Sequence, residues 1–218
     1  MLTWYLARGA GIAAFAALSL ATGAGAFTAR HRTESLRSLE RRVVVQYVHR
    51  SAALAGLLLL TAHVGFLIAD AAAGVGWLGA LVPFASSYRP WQVTLGLVSA
   101  YLLVAVAVTG MLRSRFALSE RAAGLWRRIH LASYAAWAMS AWHFLVAGTD
   151  SGTWWARVVL AGGVAIVAAG VLARLGERPV IGDRSSAPER ATGASGRRTS
   201  DTAAPQTARR LESIGGSR

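Results

Sequence analysis

The stretch RRIHLASYAAWAMSAWHFLVAG, residues 127–148, is apolar for most of its length yet carries two imidazoles, His130 and His143, thirteen residues apart. A helix needs about 20 apolar residues to cross the hydrocarbon of a bilayer, and this segment has that character. Ionisable side chains at such depth are costly and mark functional positions. A second stretch, QYVHRSAALAGLLLLTAHV (residues 46–64), repeats the pattern with His49 and His63, fourteen residues apart.

The surrounding chain reads as a membrane protein. Of 218 residues, 54% are hydrophobic and 15% charged, and apolar runs recur at span length. Five apolar segments are expected as helices, because lipid offers no partners for free backbone groups. They cover residues 3–27, 43–69, 91–112, 123–147 and 153–175. The fold class is therefore an all-α membrane protein, a bundle of five transmembrane helices. Its membrane domain is residues 1–175, and residues 176–218 are a disordered cytoplasmic tail. That tail is rich in Arg, Ser, Gly, Thr and Pro and has too few large apolar residues to fold.

All 23 basic residues are Arg, and the formal net charge is +13. In a soluble chain this balance would suggest nucleic acid. Here the Arg residues cluster in short loops and the tail, so no nucleic acid is expected and membrane lipid is the partner. Arg30, Arg32, Arg37, Arg41 and Arg42 crowd loop 28–42, and Arg113, Arg115 and Arg121 crowd loop 113–122. Loop 70–90 holds only Arg89, and loop 148–152 holds none. The positive-inside rule then places the N-terminus outside and the C-terminus in the cytoplasm of a plasma-membrane protein. Ala24-Gly25-Ala26 resembles a signal-peptide cleavage site, but cleavage there would leave the Arg-rich loop outside. With no Cys, disulfides and Cys-ligated clusters are excluded.

Of five histidines, His31 belongs to an Arg-rich loop. The other four form two pairs. The second and fourth spans run in the same direction, so His49 and His130 match in depth near the cytoplasmic face. His63 and His143 match about 20 Å further along, at about 1.5 Å of rise per residue. Imidazoles facing each other from two helices are the axial ligands of a hexacoordinate heme, and two such pairs make two stacked heme b sites. Ala52, Ala53, Ala55 and Gly56 on one helix and Ala132, Ala135, Ala136, Ala138 and Ala141 on the other leave room for a flat ring, although small residues also serve close packing. At about 100° per residue, fourteen positions return to within about 40° of the starting face, whereas thirteen miss by about 140°. Either the fourth helix is locally rewound or strongly tilted, or the two hemes meet it from different sides; a distortion between Leu131 and Trp142 is the first place to look. A non-redox membrane protein, either a cation transporter or an assembly partner, is the alternative. Its usual intramembrane carboxylates are missing: the spans hold no Asp or Glu apart from Asp70 and Asp150 at their outer margins.

Arg50, Arg127 and Arg128 flank the inner pair and suit heme propionates, while Arg89 and Arg157 lie near the outer boundary; snorkelling to lipid is the plain reading of each. Trp4, Trp77, Trp91, Trp154 and Trp155 fit an outer aromatic belt and Trp126 an inner one. Trp137 and Trp142 lie within the fourth span and are expected to fill the core.

These two His-bearing stretches, with spacings His-x13-His and His-x12-His, resemble the ferric reductase-like transmembrane domain. That domain is shared by ferric reductases, NADPH oxidases and the heme subunits of bacterial methionine sulfoxide reductases. The opening WYLARGAGIAAF is also similar to the first span of bacterial members. The resemblance, over about residues 3–175, implies a transmembrane cytochrome b with His49, His63, His130 and His143 as axial ligands. It implies an oxidoreductase component that takes electrons on the cytoplasmic side and delivers them to an extracytoplasmic acceptor. The chain departs from the reductases in carrying no flavin or nicotinamide domain and five spans where many relatives have six. The electron donor is then a separate protein or a quinol.

Overall fold

The computed structural model describes residues 2–28, 36–116 and 119–176. His31, the tail from residue 177 and Arg30 and Arg32 lie outside the described residues. The chain divides into two units, Met1–Pro179 and Val180–Arg218, and only the first is described below.

Among the described residues the protein is helical, with no strand. Seven α-helices follow one another: α1 (Leu2–Thr28), α2 (Leu36–Ala69), α3 (Gly76–Leu81), α4 (Pro90–Met111), α5 (Arg113–Phe116), α6 (Glu120–Ala147) and α7 (Trp154–Gly176). By length and composition α1, α2, α4 and α7 are apolar enough to cross a membrane. Helix α6 is longer than α4 but more polar, because it carries Arg121, Arg127, Arg128, two histidines and two serines.

Helix α2 starts at Leu36, seven residues before the apolar segment, since Leu36–Arg42 continues the helix with a charged turn. Helix α6 starts just after Ser119, whose hydroxyl accepts the Ala122 N–H at 3.2 Å and caps otherwise unpaired donors. Residues 70–90, a plain loop by sequence, instead form an ordered cap. Asp70 caps a 3₁₀ turn over Ala71–Ala73, α3 follows, and the Phe84 N–H donates to Thr94 at 2.8 Å. Arg89 takes a left-handed conformation ahead of Pro90, and its guanidinium donates to the Val146 carbonyl at the end of α6.

Two antiparallel hairpins, α1–α2 and α4–α6, build the bundle, and α7 packs along α1. The α1–α7 seam is closed by glycine: a Cβ on Gly170 would strike the Gly23 carbonyl, and one on Gly23 would lie 2.7 Å from Ile166. Small residues allow such approach where lipid supplies no hydrophobic drive. The hairpins meet chiefly along α1 and α6, while α2 and α4 barely touch. Halfway along, Leu18, Leu103 and Ala136 form a buried cluster. Beside it Trp137 donates to Ser19 at 2.9 Å, Ser19 donates to the Phe15 carbonyl, and Ser99 donates to the Ala136 carbonyl. Trp142, in contrast, is 60% exposed on the outer surface of α6 and fills no core, a correction to the expectation for that residue. Helix α6 is continuous α-helix from Glu120 to Ala147, with no 3₁₀ or π turn between Leu131 and Trp142.

Candidate functional site

Three of the four histidines on α2 and α6 are held in a common way that involves the neighbouring helix of each hairpin. His63 on α2 places Nδ1 2.7 Å from the Ala7 carbonyl of α1, and His49 places Nδ1 2.7 Å from the Ala21 carbonyl. On the other hairpin His143 places Nδ1 2.7 Å from the Gln92 carbonyl of α4. Each accepting residue lies four positions before a glycine: Ala7 before Gly11, Ala21 before Gly25, Gln92 before Gly96.

The physical reason is shielding. A helical side chain leans over the turn preceding its own Cα, so a Cβ at position n covers the carbonyl at n−4. Glycine leaves that carbonyl open, and its second lone pair can accept an imidazole N–H beside the helical one. The rings fill the space left by the missing side chains. A Cβ on Gly96 would meet His143 atoms at 2.6, 2.7 and 2.9 Å; one on Gly11 would meet His63 at 2.8 Å and one on Gly25 would meet His49 at 3.0 Å.

The chemical consequence follows from the acceptor. A carbonyl cannot donate, so the neutral imidazole keeps its proton on Nδ1 and leaves a lone pair on Nε2. This is the orientation a metal-ligating histidine needs, with its other nitrogen tied to a backbone carbonyl.

The histidines also stand in pairs across the cleft. The His49 and His130 rings are 6.2 Å apart between centroids, inclined at 70°. A single metal ion bonded to an imidazole on either side, at about 2 Å per bond, separates ring centres by roughly 6.3 Å. At the other level His63 and His143 line one cavity of about 580 Å³, whose walls are mostly apolar and include Leu67, Val93 and Leu97. That is the size range of small-molecule and cofactor sites, about 300–1,000 Å³. The cap over residues 70–90 contributes Trp77 and Tyr88 to its lining, and Arg8 and Asp150, joined in an ion pair, stand at its rim. Among the described residues no group of three His, Asp or Glu gathers at one point; the histidines stand as pairs.

His130 is the exception to the common arrangement. Its Nδ1 is buried and has no hydrogen-bond partner, and its ring stacks on Trp126 with centroids 5.0 Å apart. A Cβ on Gly110 would lie 3.9 Å from it, an ordinary contact. The uneven spacing of thirteen is thus absorbed by this one ring and not by the helix backbone.

Of the other expected residues, Arg50, Arg127 and Arg128 are exposed near the His49–His130 level. Among the described residues none of the three hydrogen-bonds to the rings. Sequence reasoning missed Gly11, Gly25, Gly96 and Gly110. Their signal was present, since both glycine pairs are fourteen apart, the same interval as His49 and His63. No family model, curated protein or solved structure matches the chain.

Proposed function

We propose that the protein is a transmembrane cytochrome b of the ferric reductase-like type, with five spans and two bis-histidine heme b groups. His49 and His130 hold the inner heme, and His63 and His143 hold the outer one. The observation that carries this reading is the 2.7 Å approach of Nδ1 to a backbone carbonyl in three imidazoles, from which their tautomer follows. Each is tied at Nδ1 to a carbonyl opened by glycine, with the opposite nitrogen left free to ligate. The 6.2 Å ring separation of the inner pair and the apolar cavity that both outer histidines line support it further. A heme iron in such a site cycles between ferric and ferrous states and passes single electrons.

The residues of the chain have definite parts in this scheme. The glycine-seated imidazoles fix ligand direction, and the apolar walls exclude water. The buried cluster around Leu18, Ser19, Ala136 and Trp137 separates the two levels. Arg50, Arg127 and Arg128 lie where propionates of the inner group need cationic partners. The fifth span is α6, whose low hydropathy is the cost of its two ligands. The Arg-rich segments next to α2 and α6 put the N-terminus outside and the C-terminus in the cytoplasm. In this reading electrons come from a separate protein or a quinol and leave to an extracytoplasmic acceptor.

Single replacement of each histidine tests the reading. Loss of one heme from each variant, inner for His49 or His130 and outer for His63 or His143, is expected. Undiminished heme content in all four variants contradicts it, and absence of heme from the wild type favours a non-redox membrane protein.

A further inference from the structure

The two histidine levels are built differently, and on the two-heme reading the difference has an electronic consequence. Three of the four imidazoles donate Nδ1–H to a carbonyl four residues before a glycine. By the same rule His130 should face Gly110 and bond the Val106 carbonyl. A spacing of fourteen back from His143 falls on Ile129 and not His130, so the ring is displaced by one position, about 100° around the helix. It stands 3.9 Å from where a Gly110 Cβ would be. The Val106 carbonyl accepts instead from Thr109 Oγ1 at 3.0 Å, and the Thr109 carbonyl accepts from Trp126 Nε1 at 3.1 Å. On its far side His130 stacks on Trp126, and Arg113 lies over the same indole, 5.2 Å from its centroid.

Both features act in one direction. A carbonyl bound at Nδ1–H makes an imidazole a more basic ligand, which favours ferric iron; His130 lacks it. A nearby guanidinium charge disfavours the more positive, ferric state of the same site. We infer that His130, through its missing hydrogen bond and its Trp126–Arg113 backing, gives the inner heme a higher reduction potential than the outer heme. Electrons then rest on the cytoplasmic side until the outer site can accept them.

Potentiometric titration of the purified holoprotein with dithionite and ferricyanide, one electron per iron in each direction, tests this directly. Two b-type waves are expected. His63→Ala or His143→Ala, whichever retains heme, should keep only the high-potential wave, and His49→Ala only the low one. Arg113→Gln, at an exposed position, should lower the high-potential wave alone. A tenfold change in the reduction equilibrium corresponds to about 59 mV for one electron, and a several-fold fall is expected. Coincident waves, a low-potential inner heme, or an Arg113→Gln shift confined to the outer wave overturns the inference. A holoprotein with two hemes and any of those results leaves the proposed function standing, whereas a protein without heme removes both.

Discussion

Replacing Gly96 by alanine adds one methyl group at the point where the account is most sensitive. The new Cβ would meet Cε1, Nδ1 and Nε2 of His143 at 2.6, 2.7 and 2.9 Å. The ring cannot retreat freely, because Nδ1 is held 2.7 Å from the Gln92 carbonyl. Forcing an extra methyl into a packed site costs about 1–3 kcal/mol, and losing the hydrogen bond adds about 1 kcal/mol. Alanine returns only about 1 kcal/mol in helix propensity. Gly96→Ala is therefore expected to lose stability by about 1–3 kcal/mol and to displace one outer ligand. Gly110→Ala is the internal control: its Cβ stands 3.9 Å from His130, so the propensity gain is unopposed. The assay is heme content per polypeptide together with the spectrum and thermal unfolding in detergent. Gly96→Ala should lose outer heme or turn it high-spin, Gly11→Ala and Gly25→Ala should be progressively milder, and Gly110→Ala should keep the wild-type heme content and spectrum and melt no lower. Equal damage from Gly96→Ala and Gly110→Ala, or a normal spectrum in Gly96→Ala, would refute the seating argument.

Three further outcomes follow from particular contacts. Trp137→Phe leaves the fully buried Ser19 without its indole donor and should cost about 1 kcal/mol, seen as a lower melting temperature with an unchanged heme spectrum. Arg8→Gln breaks the partly buried pair with Asp150 and should destabilise the outer rim by about 1 kcal/mol, less so in high salt, by the same melt. Because the hairpins touch mainly along α1 and α6, protein produced under heme limitation should be cut by protease within the 70–90 cap faster than heme-replete protein.

Much of this arrangement was legible in the residues. The apolar runs mark the long helices to within a few positions, because hydrocarbon length fixes their minimum. They miss Leu36–Arg42 and residues 120–122, where the helices continue past the apolar zone on capping and charge alone. The paired histidines could be matched in depth by counting. What counting could not supply was their seating, since that depends on which helix packs against which. Gly11 and Gly25 acquire meaning only beside α2, and Gly96 and Gly110 only beside α6. The awkward thirteen between His130 and His143 was visible at once, but its resolution was not. Local rewinding, a tilt or hemes on different sides were the expected remedies, whereas the helix is continuous and one ring gives up its hydrogen bond. Trp142 was misjudged for a related reason: a residue in an apolar helix can face lipid as readily as core.

The most direct test of the central claim is the heme content and oxidation-state difference spectrum of the purified full-length chain, produced with ample heme. The account predicts two heme b per polypeptide, low-spin and bis-imidazole in signature, with a b-type band on reduction. A pure, folded chain with no such band would contradict it.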